Sequence, residues 1–446
     1  MKEFGEMEMV ARQLHHSLSK EATQHDFGSF TGSLRVSSVP LGALFKGLVP
    51  MILLLLQRVI GLVAFVIFPL NQAILVILLI LIFNYFISGV PKGQSGVFVA
   101  IPPTKLQIRI CTLLNQFSKY EPPAWVIDNH WSTMLPLVLF NHSPKQLYRQ
   151  TFLANDGAKL GLDWYIPESV SGVIVVVPGL NGSSQGGYVV DLMNRMGKLG
   201  FAIAVMNGRG AGRSPIEAVE HAFHLGRSSD LLASLEAVEE LLRPNPVPIH
   251  ILGYSAGGIR AMKFASVYGE TLKGRVTGIM SFGASVRNTH TLGMRSSTHV
   301  YQPVITHAYA VTMLHKLLHG VSDNVEHIES LFTARAFDTF RDFDTRVTSV
   351  LHKMTLEEYE KSVFAYHDDS WKNIAVPTLI VNAIDDPVLH IDDAFVPEMA
   401  TMNSNICQLV TSKGGHIGWP TGFSARDHGY RWMSDVCWAF IQAISD

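Results

Sequence analysis

The sequence predicts an α/β fold: a mostly parallel central sheet with helices on both faces, a helical cap insertion, and an N-terminal membrane segment. Three observations carry that prediction. From about Gln150 onward, short continuously apolar runs alternate with longer stretches of helical period, the pattern of strands buried on both faces and joined by crossover helices. One run, Pro248-Ile249-His250-Ile251-Leu252, leads directly into Gly253-Tyr254-Ser255-Ala256-Gly257 and then into a helical stretch. Two later runs end in Asp385-Asp386 and in Gly414-Gly415-His416.

Taken in order, residues 1–46 are polar, with a weak helical pattern near Met9–Leu18, and read as a flexible tail. Leu48 to Val90 is almost unbroken apolar sequence, interrupted at Gln57-Arg58 and Asn71-Gln72, and it raises the mean hydropathy to +0.21. About 20 apolar residues cross a bilayer core. Residues 47–90 therefore read as a membrane anchor, either two joined spans turning near Pro69–Gln72 or one span with an interfacial approach. Mostly polar residues precede the run, which argues against a secretory leader and for an endomembrane, such as the endoplasmic reticulum, over secretion. Lys46, Lys92, Lys105 and Arg109 flank both ends, so charge sets no orientation. Residues 91–148, with Pro102-Pro103 and Pro122-Pro123, read as a connector packed on the catalytic domain at 149–446.

Within that domain, Gln150–Ala154 and Gly161–Ile166 read as paired strands around Asn155-Asp156-Gly157. Strands follow at Gly172–Val177, Phe201–Met206, Pro248–Leu252, Val276–Phe282, Pro377–Asn382 and Ile406–Thr411. Helices are expected at Tyr188–Leu199, Ser228–Leu242, from Gly258 to Tyr268, and at Tyr430–Ile444. Residues 286–371 hold helical apolar patterning, as in Val311–Leu318 and Leu331–Phe340, and read as a cap over the site.

G-x-S-x-G has about one chance in seven of arising at random in a chain of this length, and it occurs twice. In Gly182-Ser183-Ser184-Gln185-Gly186 the serine lies in a loop, well past its strand. Ser255 instead sits at the strand-to-helix junction, where a hydroxyl projects above the sheet. A serine hydroxyl needs a base to take its proton, and the base needs an acid to orient it. His416, between glycines just past a strand, is the expected base. Asp386 is the favoured acid, with Asp385 as the alternative. The oxyanion of an acyl-transfer intermediate would be met by the backbone N–H groups of Leu180 and Ala256, the former between Gly179 and Gly182.

With these residues in place, the chain resembles the membrane-anchored branch of the α/β-hydrolase-domain proteins, which includes plant embryo-abundant-type hydrolases, bacterial relatives and animal lipid esterases. The resemblance covers roughly residues 150–446. It is carried by Gly179-Leu180-Asn181-Gly182-Ser183, Asn207-Gly208-Arg209-Gly210-Ala211-Gly212, the Ser255 motif, Asn382-Ala383-Ile384-Asp385-Asp386-Pro387 and Gly414-Gly415-His416-Ile417-Gly418. Phe340-Arg341-Asp342-Phe343-Asp344 and Tyr359 add to it. It implies the α/β-hydrolase fold, a Ser255, His416 and Asp386 triad, and a lipid or other carboxylic ester as substrate. Pro178 and Asn207 depart from residues common in that family.

Composition excludes other classes. A net charge of −2 with no long basic run gives no footprint for nucleic acid. Cys111, Cys407 and Cys437 have neither disulfide nor zinc spacing. His315 and His319 have the spacing of a metal pair, but Lys316 stands where a zinc protease needs glutamate. The loop Gly208-Arg209-Gly210-Ala211-Gly212 lacks the third glycine of a dinucleotide fingerprint. No cofactor, metal or obligate protein partner is expected; the expected partners are an ester substrate and a membrane. Two alternatives remain open, an acyltransferase on the same fold and a degenerate hydrolase serving as lipid-binding scaffold.

Overall fold

The computed structural model describes residues 2–21, 41–42, 44–53, 56, 93–140, 147–212 and 214–445. Each apolar run of the catalytic region becomes a strand of one sheet. The strands are β1 (Gly96–Phe98), β2 (Tyr148–Leu153), β3 (Lys159–Tyr165), β4 (Gly172–Val177), β5 (Phe201–Asn207), β6 (Ile249–Tyr254), β7 (Gly278–Phe282), β8 (Thr378–Ala383) and β9 (Ile406–Thr411). Their order across the sheet is β1-β9-β8-β7-β6-β4-β5-β3-β2. Neighbours from β5 through β9 pair in parallel. Antiparallel pairs close both sides: β1 on β9, β3 on β5, and β2 on β3.

The parallel strands are buried along their whole length, which is why they read as unbroken apolar runs rather than alternating ones. Side chains still alternate between faces. Val173, Val175 and Val177 of β4 pack on one side with helices α1 (Lys2–Glu21), α5 (Ser229–Leu242) and α6 (Ala256–Tyr268). Ile174 and Val176 pack on the other with α2 (Lys105–Leu114), α4 (Gly187–Met196) and α10 (Arg431–Ile444). Each such side chain buried contributes about 1.5–3 kcal/mol.

Three features differ from the sequence expectations. Residues 2–21 are not a tail. The α1 helix buries Val10, Ala11, Leu14 and Leu18 in the core beside α5, and its Met7 carbonyl accepts from Val170 N at 3.0 Å. The connector contributes the edge strand β1, the helix α2, and the helix α3 (Asn129–Leu139). In the cap, Leu331–Phe340 is not one helix. Helix α7 (Gln302–Gly320) is followed by α8 (Val325–Thr333), and the chain turns before a short helix at Phe340–Phe343. Arg346 satisfies the carbonyls of that break, donating to Ala336 O at 3.3 Å and Arg335 O at 3.0 Å. Thr339 then caps the restart by accepting from Asp342 N at 3.1 Å. Helix α9 (Leu356–Val363) completes the cap, whose own core includes Leu317, Phe332 and Phe343.

Most of the apolar segment at 47–90 lies outside the described residues. Residues 44–53 are helical and rest on the cap: a Cβ on Gly47 would come within 2.6 Å of Val300 O. Among the described residues, no helix is long and apolar enough to cross a membrane.

Candidate active site

Strand β6 ends at Tyr254 and α6 begins at Ala256, so Ser255 alone makes the turn. Its backbone sits at φ 51, ψ −120, a region that costs an L-residue about 1–3 kcal/mol. The neighbours must be glycines on steric grounds. A Cβ on Gly253 would collide with Gly257 O, and one on Gly257 with Val177 O. The strain is held in place by Ser255 N donating to Phe282 O at 2.8 Å.

His416 and Asp386 meet this serine. Ser255 Oγ lies 2.9 Å from His416 Nε2, and His416 Nδ1 lies 2.7 Å from Asp386 Oδ2. The other carboxylate oxygen, Oδ1, accepts from Val388 N at 2.7 Å and Leu389 N at 2.9 Å, which fixes its plane. An ionised carboxylate only accepts, so the proton belongs on Nδ1 and Nε2 is free to accept from the serine hydroxyl. The imidazole is largely covered, at 10% side-chain exposure.

Asp385 points elsewhere. Its Oδ1 accepts from Gly415 N at 2.9 Å, and its carbonyl accepts from Asn129 Nδ2 at 2.6 Å. Burial, with the charge of Asp386 beside it, pushes its carboxyl up to about 7. It holds the histidine loop rather than the imidazole. Gly415, at φ 65, supplies the left-handed turn in that loop.

Leu180 and Ala256 line the same cavity as Ser255. Neither N–H donates to an acceptor among the described residues, so both are available to an oxyanion. The loop carrying Leu180 runs against the elbow: a Cβ on Gly179 would lie 3.3 Å from Ser255 Cβ.

Sequence reading missed the groups that brace these elements. Tyr188 accepts from Gly179 N at 3.1 Å and steadies the loop before Leu180. Thr133, from α3, accepts from His416 N at 2.9 Å. Nothing local in the connector signals this; the fold brings α3 against the loop that follows β9. The second serine motif has a structural task, since Ser184 Oγ donates to Asp163 Oδ2 at 2.7 Å. Arg209 is buried between Asp230 at 2.6 Å and Asp156 at 2.8 Å.

The cavity over Ser255 and His416 measures about 300 Å³. The cap and core line it with Leu225, Ile259, Ile305, Phe340, Val363 and Leu389. Polar groups interrupt this wall, among them Asn288, Arg341, Asp344, Tyr359 and Glu360. Asp344 accepts from Thr348 Oγ1 at 2.9 Å, and burial pushes its carboxyl up to about 7. The arrangement has the geometry to supply a nucleophile, a base oriented by an acid, two N–H donors and a mostly apolar enclosure.

Similarity to known proteins extends over most of the chain. The family described as Hydrolase_4, serine aminopeptidase S33, matches residues 168–415, more than half of the chain. Mouse phospholipase ABHD3 is 26% identical over 377 residues, spanning 81% of this chain and 86% of the mouse protein. Zebrafish monoacylglycerol lipase ABHD2 is 23% identical over 352 residues, spanning 76% of this chain and 82% of its own. The solved Pyrococcus furiosus esterase Pf2001 is 13% identical, with a TM-score of 0.44, covering 70% of this chain and 99% of that one.

Proposed function

The chain belongs to this α/β-hydrolase family, and from that premise we propose that it is a membrane-bound serine hydrolase cleaving acylglycerols or related lipid esters. The observation that carries the reading is the continuous relay from Ser255 Oγ through His416 to Asp386, at 2.9 and 2.7 Å. Ser255 Oγ attacks the ester carbonyl as His416 Nε2 takes its proton. The tetrahedral oxyanion is met by the N–H groups of Leu180 and Ala256. His416 then returns the proton to the departing alcohol, leaving an acyl-serine. Water, deprotonated by the same imidazole, releases the carboxylic acid and restores the serine.

The lipid part of the proposal rests on three supports. The cavity wall is mostly apolar, as an acyl chain requires. The relatives named phospholipase and monoacylglycerol lipase cover most of the chain. Apolar side chains stand exposed at Phe45, Val49, Ile52 and Leu56, and again at Leu137 and Val138; such groups mark partner or membrane surfaces. The apolar run at 47–90 is read as the anchor.

The test is fluorophosphonate labelling combined with a panel of lipid esters, with aminoacyl amides as control. The native chain is expected to label at Ser255 and to hydrolyse the esters, while Ser255→Ala does neither. Labelling that survives Ser255→Ala, or a native chain that does not label, overturns the reading.

A further inference from the structure

A second, smaller cavity of about 30 Å³ lies beside the oxyanion loop, lined by Leu180, Gly208, Phe223, Ala256, Arg260 and Tyr309. It shares Leu180, Phe223, Ala256 and Tyr309 with the cavity over Ser255, so the residues that carry the oxyanion donors form a wall common to both. By that measure it holds roughly two or three water-sized atoms.

Two of its lining residues, Arg209 and Arg260, belong to a charge cluster with more cations than anions. Three guanidinium groups, Arg209, Arg227 and Arg260, share the carboxylates of Asp156 and Asp230. Arg209 is saturated, with five contacts of 2.6 to 3.1 Å from three nitrogens to Asp230 and Asp156. Arg227 donates to Asp156 at 3.1 Å and to Glu220 O at 3.0 Å. Arg260 is left with one long contact, 3.4 Å to an Asp230 oxygen that Arg209 already occupies. Its side chain is 4% exposed, and its Nε has no hydrogen-bond partner among the described residues. The ring of Phe223 covers one face at 5.4 Å. A buried guanidinium without a full partner is costly, and its fork matches the paired oxygens of a phosphoryl group.

Position bears on what an anion held there would belong to. Arg260 is four residues after Ala256 on α6, hence on the same face and about 6 Å further along. An acyl ester of glycerol phosphate places its phosphorus about five or six bonds from the ester carbonyl, a span of comparable length.

We propose that Arg260 binds the anionic phosphoryl group on the alcohol side of the scissile ester, making the enzyme selective for esters of glycerol phosphate over neutral acylglycerols. This rests on the hydrolase reading above. The experiment measures kcat/KM for a monoacylglycerol and for the lysophosphatidic acid with the same acyl chain, in the native chain, Arg260→Gln and Arg260→Lys. The preference for the phosphorylated ester is expected to fall at least about 10-fold in Arg260→Gln, through KM, and by less in Arg260→Lys, which keeps charge but loses the fork. An unchanged ratio, or an equal fall on both esters, overturns the proposal. Inorganic phosphate forms a separate arm: if it inhibits the native chain while the ester ratio is the same in all three proteins, the site takes free anion and the headgroup assignment fails. Fluorophosphonate labelling runs in parallel, because a native chain that does not label refutes the hydrolase reading instead. Should Arg260→Gln fail to fold, the ratio in Arg260→Lys decides.

Discussion

Ser255 occupies a backbone conformation that glycine would take more easily, and the chain around it is built to hold it there. Two aspartates compete for the adjacent role, and the structure separates them by what each touches. Asp386→Asn removes the acceptor that sets the imidazole tautomer, and kcat should fall by about 10⁴. Asp385→Asn keeps an acceptor for Gly415 N, and kcat should stay within about tenfold. A pH series separates them further. The Asp385 carboxyl stands at about 7 against its usual 3.8, so between those values the folded chain keeps a proton that the unfolded chain has released. Stability from this group is therefore greatest below about pH 4 and is lost as pH rises toward 7. Asp385→Asn abolishes that loss, and its melting temperature should gain on the native chain progressively from pH 4 to 7.5. A constant difference across the series would contradict this. Ser184→Ala should leave labelling at Ser255 intact while costing about 1–3 kcal/mol, because Asp163 loses a buried donor. Sequence could distinguish Ser255 from Ser184, since the strand, turn and helix are contiguous there. It could only favour Asp386 over Asp385, because adjacent residues past a strand differ by orientation alone.

Elements that carry their own period were legible, and elements defined by their neighbours were not. β4 and β9 read correctly to the residue because both faces are buried and nearly every position is apolar, Gln408 being buried with its amide bonded to Val396. β1 is three residues long and is a strand only because β9 offers it an edge. The α1 helix read as a tail because its moderate apolar stripe lies in a polar background; its helicity is sustained by packing rather than by propensity. That packing is testable. Leu14 is fully buried among core residues that include Leu18 and Leu235, so Leu14→Ala should cost about 2–5 kcal/mol in denaturant unfolding. A change below about 0.5 kcal/mol would mean that α1 does not dock in solution.

At the scale of the whole molecule, the proposed encounter with lipid needs an anchor and an apolar surface near the cavity, and these make separable predictions. The run at 47–90 should keep the full chain with membranes through high salt and alkaline carbonate, and detergent should release it; release by carbonate alone would remove the anchor from the proposal. The surface near the cavity is argued from α3. Thr133 on this helix bonds the histidine loop, and Met134 packs with Val388, which lines the cavity. One turn further on, Leu137 and Val138 are exposed at 73% and 72%. Two such side chains entering the acyl region would contribute about 1.5–3 kcal/mol each, enough to change local binding tenfold or more. Leu137→Asp with Val138→Asp removes that contribution at sites whose substitution should barely affect stability. Hydrolysis of an ester embedded in vesicles should fall about tenfold, and hydrolysis of a short water-soluble ester should hold within about twofold. An equal effect on both would place α3 in the support of His416 alone and leave membrane contact to the N-terminal anchor.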